Sequence, residues 1–146
     1  MIGFVDAVKL FFNRYADFSG RSSRAEYWWV QLFIIIASII LIIPAWGLFA
    51  ALGSGSDPSG AALLGVIPIG IFFLAIIIPN IALFIRRLHD INQTGWIYLG
   101  LVIASLIPII SIIASIAQIV IACIPGTQGE NKYGADPYGH GMDVFN

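Results

Sequence analysis

Three long apolar stretches dominate this chain of 146 residues and constrain what it can fold into. They cover residues 24–52, 61–85 and 96–124, and their only charged residues, Arg24 and Glu26, lie at the start of the first stretch. Soluble domains carry about 25% charged residues, whereas this chain has 10%, with 59% hydrophobic residues. Such stretches are stable in hydrocarbon. The sequence therefore predicts an all-α integral membrane protein that forms a single membrane domain over residues 1–146.

The length of each stretch predicts how many times the chain crosses the membrane. About 20 apolar residues cross a hydrocarbon core of about 30 Å, so residues 24–52 and 61–85 each predict one transmembrane helix. Two full crossings need about 40 residues and a turn, which residues 96–124 do not supply. We therefore predict a third single span there, bent at Pro108. The alternative is a short hairpin that turns near Pro108 and gives four apolar segments.

A shorter helix is predicted before the first span, in residues 1–17. Its apolar residues recur at three- and four-residue steps, which is typical of an amphipathic helix. They are Phe4, Val5, Val8, Phe11, Phe12 and Tyr15. Such a helix lies either in the headgroup layer of the membrane or against the helices of the protein itself.

Polar segments separate or follow the helices. Ser23 and Glu26 have the spacing of a capping box, which predicts that a helix begins between them. Residues 53–60 (GSGSDPSG) are typical of a flexible turn. Residues 125–146 form a polar, glycine-rich tail that either caps the bundle or is a mobile end.

The basic residues are sorted by position, and this sorting predicts the orientation. All except Lys132 lie before the first span, at its start or directly after the second span, and residues 53–60 contain none. Because basic residues favour the cytoplasmic side, we expect the amino terminus and the loop 86–95 to be cytoplasmic. A third span would place the tail outside, whereas the hairpin would return it to the cytoplasmic side.

Four arginines are predicted to meet at one depth of the membrane: Arg21, Arg24, Arg86 and Arg87. Grouped arginines bind anionic lipid headgroups with about 1 kcal/mol each, so these four are candidates for a headgroup or anion site. The alternative role is plain anchoring at the membrane surface.

The segment from Arg86 to Asp90 also contains ionisable residues of another kind. Helical spacing would let Arg86 pair with Asp90. Histidine titrates near neutral pH, so His89, Asp90 and Glu26 are candidates for structural ion pairs or for proton handling.

Several classes of site are not predicted. A net charge of −1 argues against nucleic acid as a partner. The single cysteine, Cys123, excludes an internal disulfide and a cysteine-based zinc site. No phosphate-loop, dinucleotide or metalloprotease pattern occurs, so we expect no cofactor and no metal site.

Polar residues inside the apolar stretches are candidates for helix packing. They are Asn80, Ser111, Ser115 and Gln118. Small and polar side chains at helical spacing let another helix approach closely. A stripe of this kind in an oligomer could also line a channel.

Four sequence motifs, in order along nearly the whole chain, resemble a known family. They are Phe18-x-Gly20-Arg21-x-Ser23-Arg24-x-Glu26-Tyr27-Trp28, Arg86-Arg87-Leu88-His89-Asp90, Gly95-Trp96, and Pro125-Gly126-Thr127-x-Gly129-x-Asn131-x-Tyr133-Gly134-x-Asp136-Pro137. The family is DUF805, small bacterial inner-membrane proteins of the YhaH/YhaI type. It usually has glycine where this chain has Asn92, and asparagine also tolerates a left-handed backbone. The resemblance implies the bacterial inner membrane, and motifs that belong to one site or scaffold.

We therefore expect a non-catalytic, multi-pass protein of the inner membrane. Membrane lipids are the expected ligands of the arginine group, and a homo-oligomer or a membrane-protein partner is also expected. One alternative is a small oligomeric channel or exporter lined by Ser111, Ser115 and Gln118. A second alternative is an enzyme that modifies lipid headgroups with His89 and Asp90.

Overall fold

The computed structural model describes residues 2–52 and 58–139, and there the protein is all-α, as predicted. The helices in chain order are α1 (Phe4–Asn13), α2 (Arg24–Leu52), α3 (Pro58–Asp90), α4 (Trp96–Ser105) and α5 (Pro108–Cys123). Residues 53–57 of the predicted turn and 140–146 of the predicted tail lie outside the described residues.

Helices α2 and α3 are each long enough to cross a membrane. They contain 29 and 33 residues, which at about 1.5 Å per residue correspond to roughly 43 and 50 Å. Their apolar parts are Arg24–Gly47 and Gly65–Asp90. Pro44 lies within α2 without ending it.

The start of α2 follows the predicted capping pattern in part. Ser23 Oγ accepts a hydrogen bond of 3.1 Å from the backbone N–H of Glu26, which satisfies one of the free donors at a helix start. The Glu26 carboxylate does not return to Ser23. It accepts a hydrogen bond of 3.0 Å from the Ser22 hydroxyl, because it belongs to a group of buried charges described below.

Helix α1 packs on the protein through one face only. Ala7 and Phe11 on this face are buried, whereas Val5 and Phe12 are exposed. Near the helix start, the indole N–H of Trp29 donates to the carbonyl of Ile2 at 3.2 Å. The helix therefore leaves apolar side chains on its outer face.

The single span predicted over residues 96–124 is corrected: the structure has two helices, as in the hairpin alternative. Helix α4 ends at Ser105, and Pro108 is the first residue of α5. Proline disfavours helical backbone at the residue before it, although α2 continues through Pro44, and at Pro108 the preceding Ile107 is extended, with φ −98° and ψ 117°. A bent continuous helix needs helical angles at Ile107, so the chain turns instead.

Both outer ends of the α4–α5 hairpin lie beside the end of α3. At one end, Gly95 approaches Ile85 so closely that an added Cβ would lie 2.7 Å from that side chain. At the other end, Arg87 donates to the carbonyls of Ala122 and Ile124. The helices have 10 and 16 residues, about 15 and 24 Å, and each is shorter than the hydrocarbon core of about 30 Å. The hairpin thus returns the tail to the side of the loop 91–95.

The chain divides into two compact units, Met1–Val30 with Pro79–Asn146, and Gln31–Ile78. The divisions fall within the continuous helices α2 and α3. In the second unit the two helices approach at Gly65, where an added Cβ would lie 3.2 Å from Cβ of Ala45. Small residues permit such close helix contacts. The first unit contains all seven basic residues.

This arrangement predicts that the loop after α3 and the tail after α5 are reached from the same side of the membrane. In a Cys123→Ala background, Gln93→Cys and Gln128→Cys should both react with an impermeant maleimide in vesicles of one orientation, and neither in vesicles of the other. Both positions are exposed. Labelling from opposite sides would instead support a single crossing by residues 96–124.

Candidate functional site

Seven polar or charged side chains are buried together around the end of α3. They are Arg21, Ser22, Ser23, Glu26, Arg86, Arg87 and Asp90. We call the five charged members, Arg21, Glu26, Arg86, Arg87 and Asp90, the arginine network. Burying a charge costs several kcal/mol unless it is paired and hydrogen-bonded, so the partners of each member decide whether this arrangement is stable.

Asp90 is the centre of the network. Its Oδ1 lies 3.0 Å from both Nε and Nη2 of Arg21, and its Oδ2 forms an ion pair with Nη1 of Arg87. Arg87 and Asp90 are 0% exposed. One carboxylate therefore holds two guanidinium groups, one from the segment before α2 and one from the last turn of α3.

Arg86 has other partners, and the predicted pair of Arg86 with Asp90 is corrected. The four-residue spacing places Arg86 and Asp90 on one face of α3, but both oxygens of Asp90 are bound by the other two arginines of the network, and Arg86 binds the amino-terminal segment instead. Its Nε donates to Ser22 Oγ at 2.9 Å, and Nη1 donates to the carbonyl of Asp17 at 2.5 Å. Glu26 lies 3.7 Å from Nη2, an ion pair without a hydrogen bond.

The tail supplies the remaining acceptors of the network. Arg21 donates to the carbonyls of Gly129 and Thr127, each at 2.5 Å, and Arg87 donates to the carbonyl of Ile124. Backbone carbonyls are strong acceptors. The tail therefore stabilises the arginines, and the arginines hold the tail.

The tail also closes the end of α3. The N–H and the hydroxyl of Thr127 donate to the carbonyl of Asp90 at 2.8 and 3.0 Å. Asn131 donates to the carbonyl of His89 at 3.0 Å. These bonds satisfy carbonyls that a helix end leaves without partners. Asn92 then turns the chain with φ 59°, the left-handed backbone that was expected of it.

Position 126 requires a glycine because its backbone lies directly against the Asp90 carboxylate. A Cβ at Gly126 would lie 2.6 Å from Cγ and 2.7 Å from Oδ1 of Asp90, closer than atoms can approach. The glycine thus lets the tail backbone reach the centre of the network.

His89 and Asp90 are adjacent in sequence but have separate partners. Nδ1 of His89 lies 3.1 Å from the carbonyl of Gly20, and its ring stacks on Tyr133 at 3.8 Å between centroids. The Asp90 carboxylate is bound to arginines. The geometry therefore does not bring the two together as an acid–base pair.

Arg24 differs from the other three predicted arginines because its side chain is exposed. Its backbone N–H donates to the hydroxyl of Tyr138 at 2.7 Å, and its Nη1 lies 3.4 Å from the carbonyl of Cys123. Two surface hollows of about 480 and 340 Å³ adjoin it. Trp28 lines the first and Thr127 lines the second.

A second ion pair lies at the surface, between Arg14 and Asp17. Their atoms Nε and Oδ2 are 2.8 Å apart, and the side chains are 27% and 39% exposed. The hydroxyl and N–H of Ser19 donate to the Asp17 carboxylate. These bonds, with Arg14, hold the pKa of Asp17 well below its usual value.

The predicted packing residues do not gather at the network. Asn80 and Gln118 are half-buried. The Ser111 hydroxyl donates to the carbonyl of Pro108 at 2.6 Å, and that of Ser115 donates to the carbonyl of Ser111 at 2.8 Å. These bonds are internal to α5.

Sequence reasoning missed the roles of four tail residues, Gly126, Thr127, Asn131 and Tyr133. All four residues belong to the fourth sequence motif. The single-span prediction placed the tail on the opposite side of the membrane from the arginines, so it gave these residues no partners. Among the described residues, no group of three or more His, Cys, Asp or Glu side chains could hold a metal ion.

The first prediction concerns the charge of Asp90. Asp90→Asn leaves Arg21 and Arg87 buried without a counter-ion, so we expect the free energy of unfolding to fall by about 3–5 kcal/mol. Asp17→Asn removes the same i, i+3 pairing at the surface and should cost less than about 1 kcal/mol. Unfolding in detergent, followed by circular dichroism, measures both. Equal losses of unfolding free energy in the two variants would show that burial does not increase the contribution of the Asp90 ion pairs to stability.

A second prediction concerns the space at Gly126. Gly126→Ala forces the tail away from Asp90, and overpacking of this kind costs about 1–3 kcal/mol. Gly100→Ala is the matched control, since no atom lies within 4 Å of its added Cβ and alanine favours a helix by about 1 kcal/mol. The two variants should shift the unfolding midpoint in opposite directions. A neutral Gly126→Ala would contradict the close contact.

Comparisons with known proteins identify the family of this chain. The family model described as "Protein of unknown function (DUF805)" matches residues 15–135, which include every member of the arginine network. The chain is 34% identical over 127 residues to inner membrane protein YhaI of Escherichia coli K12, covering 86% of this chain and 89% of that protein. It is 32% identical over 125 residues to inner membrane protein YhaH of the same organism, covering 86% and 90%. No solved structure matches. This membrane protein therefore belongs to the DUF805 family.

Proposed function

We propose that this protein is a non-catalytic, multi-pass component of the bacterial inner membrane that binds the phosphate of an anionic lipid headgroup at Arg24. The observation that carries the proposal is the difference in exposure among the predicted arginines. Arg21, Arg86 and Arg87 are buried and bound by protein acceptors, so their role is to hold the fold. Arg24 is the one of the four whose guanidinium group is open to the surroundings.

The surroundings of Arg24 suit a lipid at the membrane surface. The larger hollow beside it is lined by Trp28, Cys123 and Tyr138, and tryptophan and tyrosine favour the depth of the headgroups. A headgroup phosphate could accept from the guanidinium group, since hydrogen bonds between charged partners are strong. The acyl chains would then lie along the apolar surface of α2.

The distribution of positive charge supports an orientation with the amino terminus in the cytoplasm. All seven basic residues belong to the unit formed by residues 1–30 and 79–146. With the tail held beside Arg21, Lys132 joins the other six. When all basic residues gather at one end of the helices, that end favours the cytoplasmic side of the membrane. Helices α2 and α3 would then be the two membrane crossings.

Assembly remains part of the proposal. One side of α4, which includes Leu99 and Ile103, is exposed, and this side could contact lipid, a second copy or a membrane-protein partner. The channel and enzyme alternatives have less support, because the α5 serines bond within their own helix and His89 and Asp90 have separate partners.

The proposal predicts that Arg24→Gln weakens the binding of phosphatidylglycerol. One arginine near an anionic surface contributes about 1 kcal/mol, or roughly a fivefold change in affinity. Native mass spectrometry of the detergent-solubilised protein measures the lipid retained at increasing phosphatidylglycerol concentration.

Lys9→Gln is the matched control, because it removes one exposed positive charge at a position that adjoins neither hollow. It should retain lipid as the wild type does. If the two variants lose lipid equally, binding reflects net charge alone and the proposed site at Arg24 is wrong.

A further inference from the structure

A groove between α3 and α4 lies apart from Arg24 and shares no residue with the hollows beside it. Its volume is about 550 Å³. Its walls are apolar and are formed by residues such as Phe18, Ile81, Ile85, Leu99 and Val102. A molecule with an apolar chain that lies in this groove gains dispersion contacts with its walls.

One end of the groove is polar, and it carries a specific acceptor. The His89 ring lines this end together with Gly95 and Tyr133. Nδ1 of His89 lies 3.1 Å from the carbonyl of Gly20, and a carbonyl oxygen only accepts, so Nδ1 carries the proton. In the neutral ring Nε2 is then an acceptor, and no residue that the structure describes donates to it.

Two contacts hold the ring that carries Nε2, the bond from Nδ1 to the carbonyl of Gly20 and the stacking of Tyr133. Tyr133 stacks on the ring with an angle of 5° between the planes. Gly95 lies beside Nε2, and because it has no side chain it leaves that nitrogen accessible. A Cβ added to Gly95 would lie 3.6 Å from Nε2 and 2.7 Å from the Ile85 side chain. A hydroxyl group in the groove could therefore donate to a rigidly held nitrogen.

A cation, Lys132, lies next to Tyr133 at the polar end, although it does not line the groove itself. Tyr133 stacks on His89, and the residue before it is Lys132. Nζ of Lys132 lies 5.0 Å from the centre of the Tyr133 ring. An ammonium group attracts a phosphate as a point charge. The groove thus offers an apolar wall and an acceptor for a hydroxyl, and Lys132 beside Tyr133 is a cation that a phosphate at the mouth of the groove could reach.

We infer that this groove binds one molecule of a membrane phospholipid whose headgroup is anionic and carries a hydroxyl, with an acyl chain along Ile85 and Val102. The hydroxyl donates to Nε2 of His89, and the phosphate lies beside Lys132. Phosphatidylglycerol has this combination of groups and is the probe. This site is additional to the lipid site proposed at Arg24 and does not depend on it.

The test is competitive binding, read by native mass spectrometry of the full chain in detergent. Phosphatidylglycerol and phosphatidylcholine with the same acyl chains are added in equal amounts, because phosphatidylcholine has neither the hydroxyl nor the net charge. Val102→Trp fills the groove and should lower phosphatidylglycerol retention at one site by at least about tenfold, a change of about 1.4 kcal/mol. Ile103→Trp adds the same side chain at the next, exposed position outside the groove and should bind as the wild type does.

The polar end is tested separately. His89→Phe keeps an aromatic ring on Tyr133 but removes the acceptor, and Lys132→Gln removes the cation. Each should reduce the preference for phosphatidylglycerol over phosphatidylcholine while a lipid is still retained. If neither variant changes the preference, the headgroup assignment is overturned.

The outcomes also separate the two lipid sites. Loss of one lipid in Val102→Trp but none in Arg24→Gln would support the groove and contradict the proposed function. Loss only in Arg24→Gln would overturn the groove. A wild-type dimer that dissociates in Val102→Trp without lipid loss would show that a second copy of the chain occupies the groove, which also overturns the inference.

Discussion

The structure depends on how the positive charges of three buried guanidinium groups are compensated. Desolvation of each ion costs several kcal/mol, and only paired, well-oriented partners offset that cost. Asp90 and Glu26 supply two negative charges for Arg21, Arg86 and Arg87, so carbonyl dipoles must complete the compensation. They come from the segment before α2 and from residues 122–129. The amino-terminal segment and the tail are therefore both fixed at the end of α3.

This requirement also explains the course of residues 96–124. A single span and a short hairpin have the same composition and the same proline, and local rules favour neither strongly. The extended backbone before Pro108 permits a turn. The acceptors that Arg21 and Arg87 find at Thr127 and Ile124 then stabilise the arrangement in which the tail returns. Long-range electrostatics thus select between two locally acceptable structures.

The sequence was most informative where local chemistry decides the outcome. The start of α2 at Ser23, the left-handed turn at Asn92 and the long apolar helices follow from side-chain types and spacing. Burial of the arginines could not be predicted in this way, because an arginine beside a span is equally compatible with anchoring, lipid contact or an internal ion pair. The order of the four motifs contained the missing information. It became interpretable once Gly126 and Thr127 were seen beside Asp90.

The two carboxylates of the network do different work, and their geometry shows why. Asp90 binds two arginines directly and sits where a glycine lets the tail approach. Glu26 lies 3.7 Å from Nη2 of Arg86, and this nitrogen has no hydrogen bond within the described part of the chain. Coulomb attraction persists at that distance, so Glu26 offsets the charge of Arg86 without setting the orientation of its guanidinium group. Ser22 and the carbonyl of Asp17 orient Arg86 instead. Neutral acceptors of the amino-terminal segment thus position Arg86, whereas the Asp90 carboxylate and the carbonyls of residues 122–129 position Arg21 and Arg87.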